Sequence, residues 1–295
     1  MDKIPLKRAI LEIALSTLII TGGASLFLPW QKKQQKDPRF QIVSIVQTGP
    51  QKEALKTVYL AELLDLCSDR PTSIFHFDVK KAEEKLLLSP VIKSAHVTLL
   101  KPGTVYVDYA IRQPIATLAD YVNIAIDEEG YPFPVSSFYP PKNLPEIYLG
   151  LSPFGIRPPD QLRPKAEWNA PLKGKYMTLS LKILSTLTAP GFRDFFNVKR
   201  IDVSNAFAES YGMREIIVIT EDQITLPERE FILPRILRLS TKNYARELGN
   251  YLTLRKELLE KEQKNLPVTT EKALKLPPKI IDFRIPKLAF IDEQK

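Results

Sequence analysis

A chain of 295 residues with 44% hydrophobic content is long enough to bury more than one core without staples. The single cysteine, Cys67, excludes an intramolecular disulfide framework and a cysteine-based metal site. The net charge of +8 is not a nucleic-acid footprint: residues 1–39 hold seven Lys/Arg against three Asp/Glu, and the remainder is nearly balanced at 35 against 31.

Residues 9–28 form one mostly apolar run broken by Glu12, preceded by Lys3, Lys7 and Arg8 and followed by Trp30. At ~1.5 Å per residue such a helix is just long enough to cross a ~30 Å hydrocarbon core. The expectation is a short cytoplasmic tail (1–8), a transmembrane helix (9–30) and a polar linker (31–39), with the bulk of the chain on the far side of the membrane. A cleaved signal peptide is the alternative, because Gly22-Gly23-Ala24-Ser25 supplies small residues. The apolar stretch resumes at Leu26-Phe27-Leu28, and Trp30 suits a membrane interface, which favours the anchor.

A first module is expected over 40–112. Residues 40–46 alternate as a strand. Residues 57–67 carry Val58, Leu60, Ala61, Leu63 and Leu64 in a helical stripe, with Thr57 as N-cap. Asp78 caps a helix over 79–88 that Pro90 stops. Strands follow over 95–100 and 105–111, joined by the turn Lys101-Pro102-Gly103-Thr104. The order is β-α-α-β-β.

The remainder, 113–295, reads as a β-rich domain. Proline and aromatic residues dominate 115–160, and 155–174 reads as an irregular loop. Residues 176–187 suit a helix. Strands are expected over 201–203, 215–220 and 223–226, the last two joined by a turn at Glu221-Asp222. The longest helix is expected over 234–261, then a loop with Pro267, Pro277 and Pro278, then one strand-like segment over 280–291.

The residues offer little for catalysis. The two histidines, His76 and His96, both fall in the first module, so the second domain has no Ser-His-Asp or Cys-His set. Cys67 reads as a buried small hydrophobe. The paired acids (Glu83-Glu84, Asp127-Glu128-Glu129, Glu221-Asp222) are adjacent in sequence and read as turns or solvated faces, whereas acid/base pairs usually come from separate elements. There is no phosphate-binding glycine loop. No cofactor, metal or small-molecule substrate is expected. The informative feature is the last segment, where Ile281, Phe283 and Ile285 alternate with Asp282 and Arg284 before Pro286 interrupts. Proline cannot donate to a ladder, so this strand belongs at a sheet edge, where a partner's strand can add. A plain protected edge fits the same residues.

The order of parts resembles the FtsQ/DivIB family of bacterial cell-division proteins over nearly the whole chain. Ile74-Phe75-His76-Phe77-Asp78, the run from Leu88-Ser89-Pro90 to His96-Val97, and Lys101-Pro102-Gly103-Thr104-Val105 resemble its POTRA domain. Arg112-Gln113-Pro114-Ile115-Ala116 resembles the junction to its β domain. Ile126-Asp127-Glu128-Glu129-Gly130-Tyr131-Pro132-Phe133, Leu144-Pro145, Ile201-Asp202-Val203-Ser204 and Ile281-Asp282-Phe283-Arg284 resemble parts of that domain. Ile111 departs from the glutamate usual there.

The resemblance implies an α+β chain: a transmembrane helix, a POTRA module, then a mostly antiparallel β domain with a few helices. It implies a non-enzymatic scaffold of the division machinery in the bacterial inner membrane, recruiting FtsB/FtsL-like coiled-coil proteins through its terminal strand. The site carries over to Arg284, Ile285, Lys287, Leu288 and Phe290. Arg284 or Lys287 would meet a partner carboxylate, and Ile285, Leu288 and Phe290 would pack. A POTRA component of a translocation or secretion system is the alternative.

Overall fold

The computed structural model describes residues 14–22, 25, 37–51, 54–140, 142–150, 170–227, 229–268 and 271–293. The chain divides into two compact units, the first ending at Ile111 and the second beginning at Arg112.

The expected membrane-crossing helix is the first correction. Among the described residues no helix is long and apolar enough to cross a membrane. Residues 14–22 are helical; nine residues rise only ~14 Å, about half of a hydrocarbon core. Residues 9–13, 23–24 and 26–30 lie outside the described residues. The single-pass inner-membrane placement drawn from that helix is overturned with it.

The first unit runs β1 (Ser44–Thr48), α1 (Thr57–Leu63), α2 (Val79–Leu87), β2 (Ile92–Leu100) and β3 (Thr104–Ile111). The sheet order is β1-β3-β2. β1 lies parallel to β3, and β2 antiparallel to it. Phe40 falls in a single 3-10 turn, Pro38–Phe40, capped by Asp37, so the strand begins later than expected. Helix α1 stops short because Asp65 turns into the left-handed region at φ 53°. Cys67 therefore lies beyond the helix and is exposed, not buried. Asp78 accepts from the Lys81 N–H at 3.2 Å and starts α2. Leu60, Leu86, Val97, Val105 and Val107 fill the core between helices and sheet. Gly103 admits no side chain: a Cβ there would stand 2.0 Å from the Gln41 carbonyl oxygen.

The second unit comprises β4 (Ala116–Leu118), β5 (Ile124–Ile126), β6 (Pro132–Pro134), β7 (Glu146–Tyr148), β8 (Asn197–Asp202), β9 (Ile216–Leu226), β10 (Arg229–Leu239), β11 (Ala273–Lys275), β12 (Lys279–Asp282) and β13 (Phe290–Glu293). They form a sheet of order β13-β12-β10-β9-β8-β7-β4-β5-β6, with β11 also pairing β10. Antiparallel pairs (β4/β5, β5/β6, β8/β9, β9/β10, β12/β13) carry most of the ladder, with the long β9/β10 pair at its centre, and parallel pairs (β4/β7, β7/β8, β10/β11, β10/β12) join them, so the sheet is mixed but mostly antiparallel.

Helices α3 (Lys175–Thr188) and α4 (Tyr244–Lys264) bring Ile183, Leu184, Leu187, Leu248, Tyr251 and Leu258 into one core with Ile147, Ile201, Val218, Leu237 and Ile281. The expected helix start at 234 is wrong. Phe231, Leu233, Leu237 and Leu239 are buried with Arg235 on one face of β10, a period of two. The expected turn at Glu221-Asp222 is absent too: β9 runs through both residues, paired with Pro234 and Leu233. Most of the Pro-rich loop, residues 155–169, lies outside the described residues.

Candidate functional site

The segment 280–291 is two strands and a turn. β12 lies between β10 on one side and β13 on the other. Ile281 and Phe283 are buried, and Phe283 meets the Tyr251 ring edge-on at 6.4 Å. This part is therefore core, and it offers no free edge. The chain then turns through Pro286 and Lys287, the latter at φ 65°, with the Leu288 N–H donating to the Ile285 carbonyl at 3.2 Å. It returns as β13, with Ile291 opposite Ile281 and Phe290 opposite Asp282. β13 ends the order of the described strands. Alternate residues of such a strand direct N–H and C=O away from the sheet.

Of the five residues expected to meet a partner, three apolar ones stand in water: Ile285 is 57% exposed, Leu288 63% and Phe290 67%. They lie within one six-residue stretch at the hairpin. Lys287 is exposed at the same turn. Arg284 is engaged within the chain. Its backbone N–H donates to Asp282 Oδ1 at 3.0 Å and its guanidinium donates to both Asp282 oxygens, at 2.7 Å from Nη2 to Oδ2. It also reaches Glu215 Oε2 at 3.3 Å and the Gly212 carbonyl at 3.3 Å. Arg238 completes the group, with Nε 2.7 Å from Glu215 and Nη1 3.4 Å from Asp282. Burial works to raise the Asp282 carboxyl, but the Arg284 hydrogen bonds and the two cations outweigh it and hold it below the usual range. The Asp282 bond holds the Arg284 guanidinium firmly charged. Arg284 thus positions the turn and is not held out toward a partner carboxylate.

Gly212 belongs to the 3-10 turn Tyr211–Met213, whose Tyr211 and Met213 side chains are also exposed. Arg284 ties that turn to the hairpin. Sequence reading did not single it out; two large apolar residues around a glycine were the available signal.

A second polar cluster lies under α4. Asp222 accepts from Arg235 Nε at 3.3 Å, Tyr251 Oη at 3.0 Å and Arg255 Nε at 2.6 Å. Arg235 also pairs with Glu262, which in turn meets Lys279 at 3.0 Å. Burial pushes the Tyr251 hydroxyl up. Burial works to raise Glu262 too, but the Arg235 and Lys279 bonds hold it low. Every carboxylate here is engaged by cations, an arrangement that fastens α4 to the sheet. A cleft of ~300 Å³ borders Arg235, Glu262 and Lys279. Asp222 was expected at a solvated turn; its burial is compensated by Arg235, Tyr251 and Arg255, three residues distant in sequence. Among the described residues no group of His, Cys, Asp and Glu is arranged to hold a metal ion.

No family model and no curated protein matches this chain.

Proposed function

We propose that the chain is a non-enzymatic scaffold of the bacterial division machinery, related to the FtsQ/DivIB proteins, that recruits small coiled-coil division proteins of the FtsB/FtsL kind. The observation that carries the reading is the β12–β13 hairpin: a terminal strand with outward main-chain groups beside Ile285, Leu288 and Phe290, three large apolar side chains left in water. Strand addition supplies main-chain hydrogen bonds, and the exposed side chains supply packing and register. Proline and charge commonly blunt such edges; here Pro286 sits in the turn and leaves β13 itself unbroken.

The test is co-purification from the native bacterium with the partners identified. Leu288→Asp or Ile285→Asp is expected to leave the circular dichroism spectrum unchanged and to lower capture of the coiled-coil partner at least tenfold. Equal recovery with either variant overturns the reading.

A further inference from the structure

The charged groups beside the β12–β13 hairpin divide into two kinds. Arg238 and Arg284 both meet Asp282 and Glu215, so these four are spent within the chain. Asp292 is exposed on β13, and among the described residues no cation pairs with it. The register of the hairpin fixes the side on which it stands. Directly opposed residues of an antiparallel pair share a face of the sheet. Ile291 lies opposite Ile281, which is buried in one core with Leu248 and Tyr251 of α4. Phe290 lies opposite Asp282, and Asp292 opposite Ile280. Phe290 and Asp292 therefore share the other face, away from α4.

A strand added alongside β13 meets this pattern residue by residue. Its side chains fall beside Phe290, Ile291 and Asp292 in turn. The first two places suit apolar groups. The third holds a carboxylate with no counter-charge. Opposite charges directly across two strands attract, and like charges repel. A charge on an edge strand also opposes indiscriminate pairing. One carboxylate can thus reject one class of strand and admit another. β13 holds no cation between Phe290 and Glu293, so a second copy of the strand does not supply the match.

We propose that Asp292 selects the strand that docks on β13: a segment whose lysine or arginine falls opposite Asp292, next to two apolar residues that cover Ile291 and Phe290. The inference rests on the recruitment reading above and adds the partner's charge to it. Running antiparallel to β13, such a segment reads basic, apolar, apolar from its N-terminal side.

The test measures recovery of the coiled-coil partner by the full-length chain, comparing wild type with Asp292→Asn, Asp292→Lys and Leu288→Asp. Circular dichroism is expected to be unchanged, because the side chain at 292 is exposed. At about 0.05 M salt, Asp292→Asn is expected to lower capture about two- to fivefold and Asp292→Lys about tenfold. At about 0.5 M salt, where exposed charges are screened, wild type and Asp292→Asn are expected to converge. A photo-reactive phenylalanine analogue in place of Phe290 marks the partner residue beside it. A lysine or arginine is expected two positions along from that residue, and reversing it to glutamate is expected to restore capture by Asp292→Lys. The proposal is overturned if Asp292→Lys recovers as much partner as wild type while Leu288→Asp loses it, if the marked segment has no basic residue at that place, or if the reversal restores nothing. In those cases recruitment through the hairpin stands without charge selection. Wild-type recovery by Leu288→Asp overturns both.

Discussion

Arg284 shows how one side chain changes role when its neighbours are known. Its guanidinium spans Asp282, Glu215 and the Gly212 carbonyl, so it fixes the path from buried Phe283 to the exposed hairpin. Arg284→Ala leaves two carboxylates facing Arg238 alone and frees the turn. The expected loss is about 1–3 kcal/mol of stability, read by urea denaturation, with partner capture falling alongside. Lysine at 284 lacks the planar fork and is expected to restore only part. Asp282 adds a pH dependence. Its folded carboxyl is depressed, so its stabilisation is complete at neutral pH, persists down to the ordinary carboxylate range, and is lost as pH falls through the depressed value. Asp282→Asn is expected to flatten the acid limb of a stability-against-pH curve; an unaltered limb means the pair contributes nothing.

Helix α4 is held by two kinds of contact. Leu248, Tyr251 and Leu258 bury apolar surface, while Glu262 and Arg255 tie its far half to Arg235 and Asp222. Arg235 is 1% exposed, and removing one member of a buried group strands its partners. Arg235→Ala is expected to cost about 3–5 kcal/mol, measured by denaturant midpoint, whereas a loss below ~1 kcal/mol means α4 is held by apolar packing alone. This cluster also explains where sequence reading succeeded and failed. Helix α2, capped by Asp78, and the strands around Lys101-Pro102-Gly103 were legible because capping, turn and periodic residues agreed there. β9 and β10 were misread because Asp222 and Arg235, charges on the buried face, break the apolar alternation. Their neutralisation depends on Tyr251, Arg255 and Glu262, which sequence distance conceals. The terminal hairpin was half legible: alternation and Pro286 marked an edge, but the reversal at Lys287 rests on a left-handed residue that is neither glycine nor asparagine.

On the scale of the whole molecule, the two sheets treat the same liability in opposite ways. On the β2 edge of the first unit the Val97 N–H donates to Glu83 of that unit's own helix, whereas β13, last in the order of the described strands of the second, stands beside exposed apolar residues. A strand edge with such a border is a hazard unless a partner uses it. Each unit has its own buried core, so each should fold from its own residues. The second unit alone, beginning at Arg112, is therefore expected to give a cooperative unfolding transition and to retain the coiled-coil partner. Capture that requires the first unit assigns the partner to more than the terminal hairpin.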